Sequence, residues 1–149
     1  MRVVLLGATR RGYLFLQKLV QLLPDAELLV FSFKEEPWEP PFLDDIRVLT
    51  LAKGGRFFEA RHVEKESRFR EWESVDIMFI VSWRYMIPSA IHGRPRLGTF
   101  VFHDSLLPKY RGFSPTVWAM INGEDRTGVT VFEIAEEMDT GDIVDQEDV

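Results

Sequence analysis

The run Val75 to Ser82 (VDIMFIVS) limits the fold of this chain more than any other stretch. An unbroken apolar core, Ile77 to Val81, suits a strand buried on both faces, and such strands belong to parallel sheets covered by helices. Arg2 to Leu6 repeats the pattern. Gly7-Ala8-Thr9-Arg10-Arg11-Gly12 interrupts it, and Tyr13, Leu14, Leu16, Leu19, Val20 and Leu23 follow at helical spacing until Pro24-Asp25. Glu27 to Phe33 reads as a second strand. Lys34 to Asp45 holds Pro37, Pro40 and Pro41 and reads as a loop.

Beyond that loop, Ile46 to Leu51 is expected as a third strand, and Gly54-Gly55 as a turn. A polar helix is expected over Arg61 to Trp72, and a helix start at Pro88-Ser89-Ala90-Ile91. Pro95-Arg96-Leu97-Gly98 leads into the strand that ends at His103. Ser114 is expected to cap a helix with Pro115 at its first position, running through Thr116 to Ile121 and ending at Asn122-Gly123. Thr127 to Ile134 alternates as a strand, and Ile143-Val144-Asp145 begins another. Strand, helix, strand in repetition predicts an α/β fold: a three-layer, open, mostly parallel twisted sheet with helices on both faces. Residues 1–149 are expected to form one domain. A closing helix after the last strand is missing, so a C-terminal extension is expected to complete it.

Composition narrows the function classes. The net charge of −6 disfavours a polyanion as the main partner. Lys53, Arg56, Arg61, Lys65, Arg68 and Arg70 form a basic stretch, but Glu59, Glu64, Glu66 and Glu71 interleave with it, as on an exposed mixed-charge helix. Zero cysteines exclude disulfides and thiolate metal sites and fit a reducing cytoplasm, the expected location; no metal site is expected. No apolar run is long enough for a membrane span, and no signal peptide is expected at the N-terminus. Gly7-x4-Gly12 is not a dinucleotide fingerprint, because Thr9 stands where the second glycine must be and Phe31-Ser32-Phe33 ends strand two without an acid. Arg10, at the start of the next helix, remains a candidate anion contact.

The residues that carry chemistry lie further on. His103 ends a strand, where open α/β sheets place their ligands, and a loop with Ser105, Tyr110, Arg111 and Gly112 succeeds it. A second polar cluster, Met138-Asp139-Thr140-Gly141-Asp142, comes later. A strand-end histidine with an acid in a later turn is the material of acid/base catalysis on a small molecule.

The stretch from His103 to Val144, HDSLLPKYRGFSPTVWAMINGEDRTGVTVFEIAEEMDTGDIV, resembles the core of the folate-dependent formyltransferases. The shared motifs are H-x-S-L-L-P-x-x-R-G, the next S-P, I-N-G-E, T-G-V-T and M-D-T-G-D. The resemblance covers roughly Ser82 to Gln146, and it is the linear series of motifs that makes it specific. Ser82 to Pro88 is similar to the family segment whose backbone borders the folate pterin ring. The resemblance implies transfer of a formyl group from 10-formyltetrahydrofolate to a primary amine. It implies His103 and Asp139 as the acid/base pair, and Trp83, Tyr85, Met86, Ile87, Asp139 and Thr140 as folate contacts. Ser105, Tyr110, Arg111, Gly112 and Arg10 are the expected substrate contacts.

The family's third catalytic residue, an asparagine two positions before the histidine, is Val101 here, and valine donates no hydrogen bond. Thr99, Asp104 and Ser105 are the nearby polar side chains, none a convincing replacement. The wording LLPKYRGFSP sits nearest the sugar-nucleotide members, so the expected acceptor is the amino sugar of a sugar nucleotide. Three alternatives stand beside it. One is a folate- or nucleotide-sugar-binding module without turnover. Another is a methionyl-tRNA formyltransferase-like protein, whose basic surface an extension would supply. The last is a formyltetrahydrofolate hydrolase. The expected partners are small molecules, folate and amine, with no membrane; tRNA and a homodimer are left open.

Overall fold

Valine and leucine fill the first strand of the computed structural model, β1 (Arg2–Gly7), and Val3, Val4, Leu5 and Leu6 have no exposed surface. The structure describes residues 1–66 and 74–149, which divide into two compact units, Met1–Thr99 and Phe100–Val149.

In the first unit β1 is succeeded by α1 (Thr9–Leu22), β2 (Glu27–Ser32), α2 (Leu43–Ala52), β3 (Arg56–Glu59), a 3-10 turn (Val63–Lys65), β4 (Ile77–Val81) and α3 (Ser89–His92). The strands lie in the order β3-β2-β1-β4, and each described pairing is parallel. β1, β2 and β3 advance in one direction and β4 lies on the other side of β1, so the crossover sense reverses between β1 and β4. In open α/β sheets the crevice outside the strand ends at such a reversal is where ligands bind.

Gly7 and Gly12 serve packing here. A Cβ on Gly12 would meet the Gly7 carbonyl carbon at 2.9 Å, so only glycine lets α1 lie this close to β1. Arg2 fixes the entry to the sheet: its backbone N–H donates to Asp76 Oδ2 at 2.8 Å. Asp76 also accepts from Arg96 Nη2 at 3.0 Å. These two donors hold the Asp76 carboxyl below its ordinary pKa.

Several expectations need correction. Ile46 to Leu51 belongs to α2, not to a strand. Leu43, Ile46 and Thr50 are its buried face at helical spacing, and Asp44 and Asp45 sit in the first turn, where the helix dipole favours acids. The strand of this region is β3, whose Phe57 and Phe58 lie beneath the guanidinium groups of Arg47 and Arg56, at 5.2 and 5.8 Å from the ring centroids. Of the helix expected over Arg61 to Trp72, the described part holds only the 3-10 turn; residues 67–73 lie outside the described residues, and with them Arg68 and Arg70 of the basic stretch.

The second unit contains β5 (Thr99–His103) from its second residue onward, α4 (Pro115–Ile121), β6 (Gly128–Glu133) and β7 (Ile143–Asp148). β5 pairs antiparallel with β6, and β6 antiparallel with β7. Pro115 does occupy the start of α4, but Ser114 is not its cap. At φ 55° it is left-handed and makes no side-chain cap bond, whereas a capping hydroxyl needs extended backbone to reach the helix N–H groups. Parallel pairings predominate along the chain, and the α/β class with an open, mostly parallel sheet is the one expected from the sequence. Among the described residues no helix is long and apolar enough to cross a membrane.

Candidate active site

Strand alternation puts Thr99, Val101 and His103 on one face of β5, with His103 as the last residue before the chain turns. The His103 ring lies edge-on to Phe132 of β6, with centroids 6.5 Å apart, and is 9% exposed. Its Nε2 donates to the Tyr110 carbonyl at 2.8 Å. A carbonyl only accepts, so that nitrogen carries a proton and the tautomer is set by the loop.

Nδ1 faces Asp139 Oδ2 at 3.7 Å. This is ion-pair distance, beyond a direct hydrogen bond. The structure therefore brings together the imidazole and the carboxylate that lie far apart in sequence. Asp139 is left-handed, at φ 53°, a conformation rare outside glycine and concentrated at functional sites. Its Oδ2 accepts from the Gly112 N–H at 2.7 Å, and its own carbonyl accepts from Arg111 Nε at 2.9 Å. Gly112, at φ 92°, is where glycine is needed to turn the backbone toward that carboxylate.

Other expected substrate contacts take different places. Ser105 is fully buried and its hydroxyl donates to the Lys109 carbonyl at 2.6 Å. It shapes the loop and cannot meet a substrate. The Tyr110 hydroxyl donates to Glu124 Oε1 at 2.7 Å and accepts from Asn122 Nδ2 at 3.1 Å. Lys109 Nζ joins the same carboxylate, and together these donors lower the Glu124 pKa. The Tyr110 phenol is thus an anchor, and what Tyr110 gives the site is its carbonyl. Arg111 is committed through Nε to the Asp139 backbone. Thr140 Oγ1 donates to the Glu137 carbonyl at 3.0 Å.

Of the polar side chains near Val101, Thr99 and Ser105 are both engaged elsewhere. Val101 pairs with Phe132. The Thr99 hydroxyl donates to the His92 carbonyl at 2.6 Å, and Ser105 is engaged as above.

The first unit holds the remaining candidates at the carboxyl ends of its strands. Ser82, directly after β4, and Thr9, two residues after the end of β1, both have positive φ, 55° and 61°. Ser82 Oγ and Trp83 Nε1 are buried without a hydrogen-bond partner. Two such orphaned groups fit a polar heterocycle, since buried donors and hydroxyls otherwise find partners. Trp83 and Tyr85 pack edge-on to Phe33, with centroids at 5.3 and 5.1 Å, and His62 lies 5.6 Å from Tyr85. Ile87 is half-buried, while Met86 and Arg10 are exposed. Phe33 and His62 were missed by sequence reasoning. The position of Phe33 at the end of the second strand was the available signal; His62 offered none.

Comparisons with known proteins identify the family. The family model for formyl transferase matches residues 30–149. A methionyl-tRNA formyltransferase of Bacteroides fragilis is 48% identical over 77 residues, which are 52% of this chain and 23% of that protein. The chain thus spans about a quarter of the length of the curated relatives it matches. Among solved structures, phosphoribosylglycinamide formyltransferase from Bacillus halodurans aligns with a TM-score of 0.75 at 18% identity, over all of this chain and 79% of that one. The formyltransferase PseJ from Anoxybacillus kamchatkensis, in complex with UDP-4,6-dideoxy-4-formamido-L-AltNAc and tetrahydrofolate, aligns with a TM-score of 0.62 at 21% identity, over all of this chain and 60% of that one. With the family model matched along most of its length, the chain belongs to the formyl transferase family.

Proposed function

We propose that this chain transfers a formyl group from 10-formyltetrahydrofolate to a primary amine, the amino sugar of a sugar nucleotide. The observation that carries the reading is the His103–Asp139 pair at 3.7 Å, with the ring held by the Tyr110 carbonyl. The orphaned Ser82 Oγ and Trp83 Nε1 support a heterocycle near Trp83, Tyr85, Met86 and Ile87 of the first unit. The amino-sugar acceptor rests on the LLPKYRGFSP wording and on the formamido sugar nucleotide in the complex of PseJ.

The donor supplies an electrophilic formyl carbon. As the amine adds to that carbon, negative charge develops on the formyl oxygen. His103 carries its resting proton on Nε2, and Nδ1, which faces Asp139, is the ring atom that can take up the amine's proton as that charge develops. Asp139 balances the imidazolium. One proton must leave the amine and one must reach the departing nitrogen, so none is consumed overall. Asp139, whose side chain is 15% exposed at the rim, is placed to relay it.

A second reading is a binding module that performs no chemistry, and Val101 is what favours it. The deciding experiment incubates wild type and His103→Ala with 10-formyltetrahydrofolate and amino-sugar nucleotides and monitors formation of tetrahydrofolate. Turnover by wild type and its loss, by about 10²-fold or more, in the variant are expected. Equal rates in both would discard the mechanism. Formate release without an amine would replace transfer by hydrolysis.

A further inference from the structure

The pairing register sets three polar side chains in one row across the second unit. His103 on β5 is opposite Thr130 on β6, and Thr130 is opposite Gln146 on β7. Directly opposed residues share a face. Thr130 is fully buried, and its hydroxyl uses all its capacity. It donates to the Ser105 carbonyl at 2.6 Å, and accepts from the Leu107 N–H at 3.1 Å and from Gln146 Nε2 at 2.8 Å. The same Gln146 nitrogen donates to the Leu107 carbonyl at 3.1 Å.

These bonds fix the polarity of the row. The single Thr130 proton goes to Ser105, so only a donor fits opposite its remaining lone pair, and the Leu107 carbonyl also demands a donor. Gln146 must present its NH2 end. Its two bonds grip both sides of the backbone that leads from His103 to Tyr110. Ser105 then ties the turn to Lys109, and the Tyr110 carbonyl receives His103 Nε2–H.

We propose that Gln146, through Leu107 and Thr130, is a positioning residue that keeps the Tyr110 carbonyl on His103 and so holds the imidazole in the Nε2–H form with Nδ1 toward Asp139. Its catalytic consequence rests on the formyl-transfer reading above; its structural consequence does not.

The test uses two variants. Gln146→Met keeps the length and removes the donor. Gln146→Glu keeps the shape and sets acceptors against the Leu107 carbonyl. Gln146 is solvent-exposed, so neither change disturbs a core. The imidazole 15N signals of His103 report the tautomer directly. Expected in both variants are growth of the Nδ1–H form and a fall in kcat of roughly tenfold to a hundredfold, the scale of a small misplacement, with KM nearly unchanged. Wild-type His103 signals in Gln146→Met overturn the proposal, whatever the rate. A change confined to Gln146→Glu also overturns it, because added charge would then be the cause. If wild type shows no formyl transfer, the functional reading fails while the 15N signals still decide the clamp.

Discussion

Gly141 offers the sharpest test of how the catalytic loop is held. It stands two residues after Asp139 and lies against β6, where the Glu133 N–H donates to the Asp142 carbonyl at 3.0 Å. A Cβ built on Gly141 falls 1.6 Å from the Glu133 carbonyl oxygen and 2.8 Å from its carbon. Its φ is not positive, so the demand is one of space alone. Both neighbours are strand backbone and cannot swing aside as a flexible side chain would. In Gly141→Ala that gap must open from 1.6 Å to at least 3.0 Å. The loop is the part that yields. The displacement is passed to Asp139, whose 2.7 Å bond to the Gly112 N–H and 3.7 Å approach to His103 have no slack of that size. Overpacking of this kind costs about 1–3 kcal/mol, and a hydrogen bond to a charged group is worth about 1.5–3 kcal/mol. The variant should lose about 2–4 kcal/mol of unfolding free energy by urea denaturation, a range set by those two effects with partial relaxation. Its kcat should drop about 10²-fold, as misplaced catalytic groups do. Gly141→Ala with wild-type stability and turnover would refute the packing argument and the dependence of Asp139 on it together.

Val101→Asn restores a donor on the His103 face of β5 and should raise turnover by about 10²–10³-fold if the missing oxyanion contact limits the rate; no gain would mean that the site has been rebuilt around valine. Asp76, held below its ordinary pKa by the Arg2 N–H and Arg96, contributes stability that is complete above its unfolded value and fades as pH falls through the lowered folded value. Thermal unfolding below about pH 4 should accordingly show a shallower acid loss in Asp76→Asn than in wild type, and parallel curves would count against the assignment.

The sequence alone determined the class of the fold and singled out His103 and Asp139 as candidates. β1 is buried on both faces past Arg2 and β4 is buried or half-buried throughout, so their uninterrupted apolar runs are legible without coordinates. His103, Asp139 and the absence of a donor at Val101 were readable for a related reason: a motif series keeps its spacing when the surrounding sequence drifts. Local propensity failed where tertiary contacts outweighed it. Leu43 to Ala52 carries apolar residues that suit strand or helix, and burial of Leu43, Ile46 and Thr50 on one side chose the helix. Ser114 has a capping side chain, but its left-handed backbone points that side chain away from the cap. Only the folded chain decided which polar groups are spent on internal bonds. Ser105 and the Tyr110 hydroxyl look like binding groups in a linear string, yet both are spent on the loop itself, while Thr130 and Gln146 carry no motif and still hold that loop in place. Hydrogen-bond partnership depends on ångström-scale approach between distant segments, and no property of a single residue encodes it.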